Sequence, residues 1–182
     1  MDFREKTISS EYVFNGKVID VKRDEIIVSN GHKSIREVVE HSGGVVILAI
    51  HNDKILLVEQ FRYPLQKTSI ELPAGKLEKN EDVFAAAKRE LEEETGFVSD
   101  NWTELGYIYT SPGFCDEKLY LYLAKDLVYK KQNPDEDEII ECFAETIDNV
   151  FEMVHNGRIS DAKTICALFR ARKFLDDKTC SN

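Results

Sequence analysis

No stretch of the chain stays apolar for anything near the roughly 18 residues that a membrane-crossing helix needs. The opening residues, MDFREKTISSEY, lack the apolar core of a secretory leader. Cysteines are few and scattered: Cys115, Cys142, Cys166 and Cys180 form no CxxC pair and no zinc spacing. They read as free thiols in a reducing cytoplasm, and nothing around them marks a nucleophile. Basic residues are in deficit, 24 Lys and Arg against 34 Asp and Glu, for a net charge of −10. That balance argues against a nucleic-acid partner gripped by a basic surface. Internal repeats and low-complexity tracts are missing too. What remains is a globular chain of 182 residues, enough for one ordinary domain with a small appendage.

The acid is concentrated where it matters chemically. Residues 75–97 read GKLEKNEDVFAAAKRELEEETGF. Val83 to Glu94 contains neither Gly nor Pro and includes three consecutive alanines, which predicts a helix. Asn80 is the expected N-cap, with Glu81 and Asp82 in the first turn, and Gly96 the expected stop. On such a helix Glu90 and Glu94 are neighbours at i, i+4, with Glu93 beside them and Glu92 pointing away. Carboxylates gathered on one face repel one another unless a cation joins them. Hard divalent ions such as Mg2+ bind through a few carboxylates plus substrate phosphates. The same spacing also describes a solvated acidic helix face.

Gly75, Glu81 and the run Arg89-Glu90-Leu91-Glu92-Glu93-Glu94-Thr95-Gly96-Phe97 occupy every fixed position of the Nudix box, and the chain resembles the Nudix hydrolases. The resemblance implies metal-dependent hydrolysis of a nucleoside diphosphate linked to another group. It implies two or three Mg2+ or Mn2+ ions held by Glu90, Glu94 and the Ala74 carbonyl, with Glu93 ligating directly or through water. Arg89 reads as structural, pairing with acids such as Glu93.

Along the chain, residues 1–41 read as a small β appendage of two or three strands, with turns at Asn15-Gly16 and Ser29–His32. So small a sheet is marginal alone; in the resembling family it forms a homodimer and reaches the neighbour's active site. Residues 42–182 read as the main domain, in the order β–β–β–α–β–β–β–α–α. That order fits a mixed sheet with helices on both faces, the α/β/α sandwich of α/β (α+β) class that the resemblance implies. In the last helix Ile165, Leu168, Phe169, Arg172 and Leu175 suggest the packed stripe, serving the core and dimer support.

Residues outside the box narrow the substrate. Pro112, sixteen residues beyond Gly96, and Gly113 after it resemble the ADP-ribose pyrophosphatase branch, although Pro-Gly also reads as a plain turn. Glu59 to Pro64 is similar to that branch as well. Arg62 there suits a phosphate or the terminal ribose, or is a surface arginine. Glu71 is a candidate for ribose or adenine, and Arg36 a weaker one for phosphate. The acidic run Asp135–Glu138 reads either as solvated or, by family resemblance, as the loop carrying a mobile base; register favours Glu136 as base, with Glu138 as an added metal contact. One departure stands out: where relatives stack an aromatic on adenine, Val18 follows the Asn15-Gly16-Lys17 turn, leaving Phe14 or Tyr12 as substitutes. The expectation is hydrolysis of ADP-ribose to AMP and ribose 5-phosphate. The alternatives are another nucleotide sugar or dinucleoside diphosphate, and a non-catalytic ADP-ribose sensor.

Overall fold

The computed structural model describes residues 2–133 and 139–175. The chain divides into two compact units, one of Met1–Gly43 with Tyr109–Lys118, the other of Gly44–Ile108 with Leu119–Asn182.

The smaller unit is a three-stranded antiparallel sheet, β1 (Lys6–Asn15), β2 (Ile19–Ile27) and β3 (Lys33–His41), in the order β1-β2-β3. Its two turns fall where Asn-Gly chemistry predicts them. The Gly16 N–H donates to the Ile19 carbonyl at 3.0 Å, and Gly31 takes φ +87°. Strand β1 is exposed along its whole length, Ile8, Tyr12, Val13 and Phe14 included. The excursion Tyr109–Lys118 adds to β3: the Val39 N–H donates to the Phe114 carbonyl at 2.7 Å, and the Asp116 N–H to the Val39 carbonyl at 3.1 Å.

The larger unit carries β4 (Gly44–His51), β5 (Lys54–Arg62), β6 (Lys67–Glu71), β7 (Ala74–Lys76), α1 (Val83–Thr95), β8 (Phe97–Val98), β9 (Asn101–Tyr109), β10 (Lys118–Lys125), β11 (Val128–Tyr129), β12 (Ile140–Thr146), α2 (Ile147–His155) and α3 (Ala162–Leu175). The sheet runs β12-β5-β4-β10-β9, with β6 paired to β5 and β7 to β4. It is mixed: β4 and β10 are parallel, whereas β4–β5, β5–β12, β5–β6 and β4–β7 are antiparallel. Strand β4 is apolar on both sides because both faces are covered. Val46 and Leu48 face a core shared with Val150 and Met153 of α2 and Leu168 and Ala171 of α3. Val45, Ile47 and Ala49 face Ala86, Ala87 and Leu91 of α1. The result is the expected α/β/α sandwich.

Two local expectations fail. Asp82, not Asn80, caps α1: its backbone is extended and its side chain accepts from the Ala85 N–H at 2.9 Å. Asn80 instead sits at φ +64° in the preceding turn, and the Glu81 side chain reaches back to the Glu78 N–H at 2.9 Å. On α3 the buried stripe is Thr164, Ala167, Leu168, Ala171 and Leu175, while Phe169 is 75% exposed. Small residues let this helix approach the sheet, and the Thr164 hydroxyl satisfies the Leu72 N–H at 2.8 Å; the bulkier Phe169 is turned outward.

Candidate active site

Helix α1 holds its acids against the turn that follows β6. Glu94 is almost fully buried and accepts from the Ala74 N–H at 2.9 Å. The Glu90 carboxylate lies on Gly75 so closely that a Cβ there would fall 1.9 Å from it, which is the physical reason for glycine at that position. Arg89 donates to Glu81 at 2.9 Å and to both Glu90 and Glu93 at 2.8 Å. Glu81 foremost, then Glu90 and Glu93, hold its guanidinium proton more tightly than usual against the cost of burial. This is the structural role expected of Arg89. Nearby on β12, burial and then the charge of Glu94 push the Cys142 thiol up to about 11, so Cys142 stays protonated near neutrality.

The C-terminal end of α1 is tied by a strap. Gly96 closes the helix at φ +75°, its N–H donating to the Glu92 carbonyl at 2.8 Å. The Lys130 N–H then donates to the Gly96 carbonyl at 2.8 Å, the Asn133 N–H to the Glu93 carbonyl at 3.1 Å and the Gln132 side chain to the Glu94 carbonyl at 2.6 Å. Helix ends leave such carbonyls without internal partners; here residues 130–133 satisfy them and fix the turn bearing Glu93 and Glu94.

A second group sits where β5, β6 and α3 meet. The Arg62 fork donates to Glu71 at 2.9 and 2.6 Å, and Lys163 bonds the same carboxylate. Burial works to raise the Glu71 pKa, but Arg62 and Lys163 outweigh it and hold it at about 2. Lys163 also pairs with Asp161 at 3.1 Å. Lys163, Asp161 and Thr164 escape sequence reasoning: the pattern Asp161-Ala-Lys-Thr signals only a helix start, and Glu71 is 92 residues upstream of Lys163.

The structure therefore brings Arg62, Glu71, Ala74, Glu90, Glu93 and Glu94 into one unit, with Glu94 charge felt at Arg62. Arg36, Pro112 and Gly113 lie in the other unit. There Arg36 pairs with Glu5, and Pro112-Gly113 forms the turn closed by the Phe114 N–H on the Ser111 carbonyl at 3.0 Å. Glu136 and Glu138 lie outside the described residues.

The α1 donors suit a hard divalent cation. Glu90, Glu93 and Glu94 and the Ala74 carbonyl offer oxygen only, and one guanidinium is shared by three carboxylates before Glu94 is counted. Among the described residues no group of three or more His, Cys, Asp or Glu side chains is placed to hold a metal ion by itself. An ion here would complete its shell with water and substrate oxygens, the usual habit of Mg2+.

The NUDIX domain family model matches residues 40–168. The chain belongs to the Nudix family. Members of this family generally work with a divalent metal, which the oxygen donors of α1 fit. Ahead of this Nudix domain, residues 5–39 match the nucleoside diphosphate sugar hydrolase N-terminal domain. The chain is 44% identical over 167 residues to an "ADP-ribose pyrophosphatase" of Bacillus subtilis, covering 90% of each. It is 46% identical over 170 residues to a "Methanol dehydrogenase activator" of Bacillus methanolicus, covering 91% of each. A crystal structure of an "ADP compounds hydrolase" superposes with a TM-score of 0.86 at 22% identity, covering 98% of each chain, and shows the same fold.

Proposed function

We propose that this Nudix protein hydrolyses ADP-ribose to AMP and ribose 5-phosphate with Mg2+, or Mn2+ in its place, two or three ions taking part. The observation that carries the reading is the Glu90–Glu94 face set against Ala74 and Gly75, within a chain so similar to an ADP-ribose pyrophosphatase. Glu90, Glu94 and the Ala74 carbonyl would hold the metal, with Glu93 beside them. When bound, the cations supply charge neutralisation of the diphosphate and acidify a water. Arg62 offers a guanidinium to a phosphate oxygen. Arg36, Pro112 and Gly113 remain candidate substrate contacts. Glu136 is our choice for the base that takes the water's proton, and Glu138 for an added metal contact.

Residues 1–41 serve dimerisation in this reading, and residues 42–182 catalysis. The exposed apolar side chains of β1 support a homodimer through that sheet. Cys115, Cys142 and Cys166 are unpaired, which supports a cytoplasmic setting. Among the described residues, no helix is long and apolar enough to cross a membrane.

A second reading, hydrolysis of another nucleoside diphosphate sugar, is favoured by the match at residues 5–39. The test is a panel of ADP-ribose, GDP-mannose, NADH and diadenosine polyphosphates with Mg2+, products separated by chromatography. AMP and ribose 5-phosphate from ADP-ribose at the highest kcat/KM are expected. Faster turnover of a different sugar nucleotide would transfer the assignment to the second reading.

A further inference from the structure

We propose that Lys163 is a positioning residue for the substrate's diphosphate: from α3 it fixes Glu71, and Glu71 fixes the guanidinium of Arg62. The proposal rests on the reading of Arg62 as the phosphate-binding group, and it gives Glu71 a role that acts through Arg62.

The geometry is a relay of alternating charge. Arg62 stands at the end of β5 with its side chain 37% exposed, while the Glu71 side chain is 3% exposed and Lys163 14%. Only the arginine end of the relay faces outward enough to meet a ligand. Arg62 spends Nε and Nη2 on the two oxygens of Glu71, and its Nη1 bonds no acceptor among the described residues. A guanidinium held by two parallel bonds loses little further freedom when its remaining edge receives an anion.

Lys163 is tied in turn. Its partner Asp161 accepts from the Thr164 N–H at 2.9 Å and from the Thr164 hydroxyl at 2.6 Å. That hydroxyl accepts from the N–H of Leu72, the residue after Glu71, at 2.8 Å. The bonds close a ring, Glu71–Leu72–Thr164–Asp161–Lys163–Glu71, between the end of β6 and the first turn of α3. The ring holds two anions and one cation, and Arg62, bonded to Glu71 from outside it, brings the balance to two of each, so each charge has a partner. The ring also sets Leu72 two residues before Ala74, so the strand end that orients Arg62 leads directly into the turn against Glu94.

A double-mutant cycle of Arg62→Ala and Lys163→Met tests this, using the nucleoside diphosphate that the unmodified protein turns over fastest. Lys163→Met alone is expected to raise KM about tenfold with kcat within about twofold, the loss of one oriented charge-assisted bond. Lys163→Arg is expected to recover most of that loss. In the Arg62→Ala background, Lys163→Met should raise KM no further. A comparable rise in that background overturns the proposal, as does a fall in kcat at constant KM or a wild-type KM for Arg62→Ala. A purely structural Lys163 would lower Tm in both backgrounds and leave KM alone. Should Lys163→Met fail to fold, the charge-balanced Lys163→Met/Asp161→Asn variant carries the same cycle. If the protein rejects ADP-ribose but hydrolyses another diphosphate, the substrate assignment falls while the cycle still judges Lys163.

Discussion

Around Glu71, one buried carboxylate and the part-buried Asp161 meet two cations, and every charge has a partner within the protein. On α1 one arginine is divided among Glu81, Glu90 and Glu93, and Glu94 adds a fourth carboxylate behind them. Both groups lie in the same unit, joined by the short turn from Glu71 to Ala74. Burial strengthens electrostatics in each, with opposite results. The balanced group is complete in the folded chain and serves geometry. The acid-rich group gathers four carboxylates with Arg89, a set of oxygen donors that suits an external cation.

The sharpest way to break this contrast is Glu94→Gln. It should lower kcat at least about 1000-fold at saturating Mg2+, because it removes a metal donor while keeping the side chain's shape. Circular dichroism should show the fold retained; near-normal turnover would mean that Glu94 is not part of the metal site.

Next in size is an acid effect on the balanced group. The folded-state pKa of Glu71 is depressed to about 2 from an ordinary 4.5. Its stabilisation is therefore present above about pH 4.5 and lost as pH falls toward 2. The amount is roughly 3 kcal/mol. Urea titrations at stepped pH should show that loss in the unmodified protein and a flatter profile in Glu71→Gln, which is less stable already at neutral pH. Equal slopes would contradict the ionised, locked Glu71.

Added Mg2+ should stabilise only through the acid-rich group. At about 100 times its dissociation constant an ion bound to the native state contributes about 2.7 kcal/mol. Thermal melts should rise with Mg2+ in the unmodified protein and in Glu71→Gln, but not in Glu90→Gln/Glu94→Gln; chelator should reverse the rise and stop turnover. A smaller effect separates two glycines. Gly75→Ala displaces the Glu90 carboxylate, a side-chain end that moves easily, so kcat should fall about tenfold while Tm barely changes. Gly96→Ala meets the Gln132 backbone nitrogen at 2.6 Å at positive φ and should cost about 1–2 kcal/mol of stability, read by urea denaturation.

The two groups were unequally legible in the sequence. The α1 group is local: the alanines, Arg89, the glutamates and Gly96 all lie within one helix and its ends, where spacing translates directly into geometry. The Glu71 group is assembled from three elements, and its lysine comes from α3, so no spacing rule reaches it. The buried stripe of α3 departs from the sequence pattern for a related reason: Thr164, Ala167 and Ala171 carry little hydrophobic signal, whereas Phe169 carries much and faces out. Asn80 and Asp82 are both good capping residues two positions apart, and only backbone conformation separates them.

The excursion Tyr109–Lys118 has a consequence for how the protein is made. His41 at the end of β3 donates its N–H to Asp116, 75 residues later in the chain. A ribosome adding about 5–20 residues per second takes roughly 4–15 s to supply that partner. Throughout that interval the emerging β3 edge is without its added segment, so the sheet β1-β2-β3 is synthesised well before it can be finished.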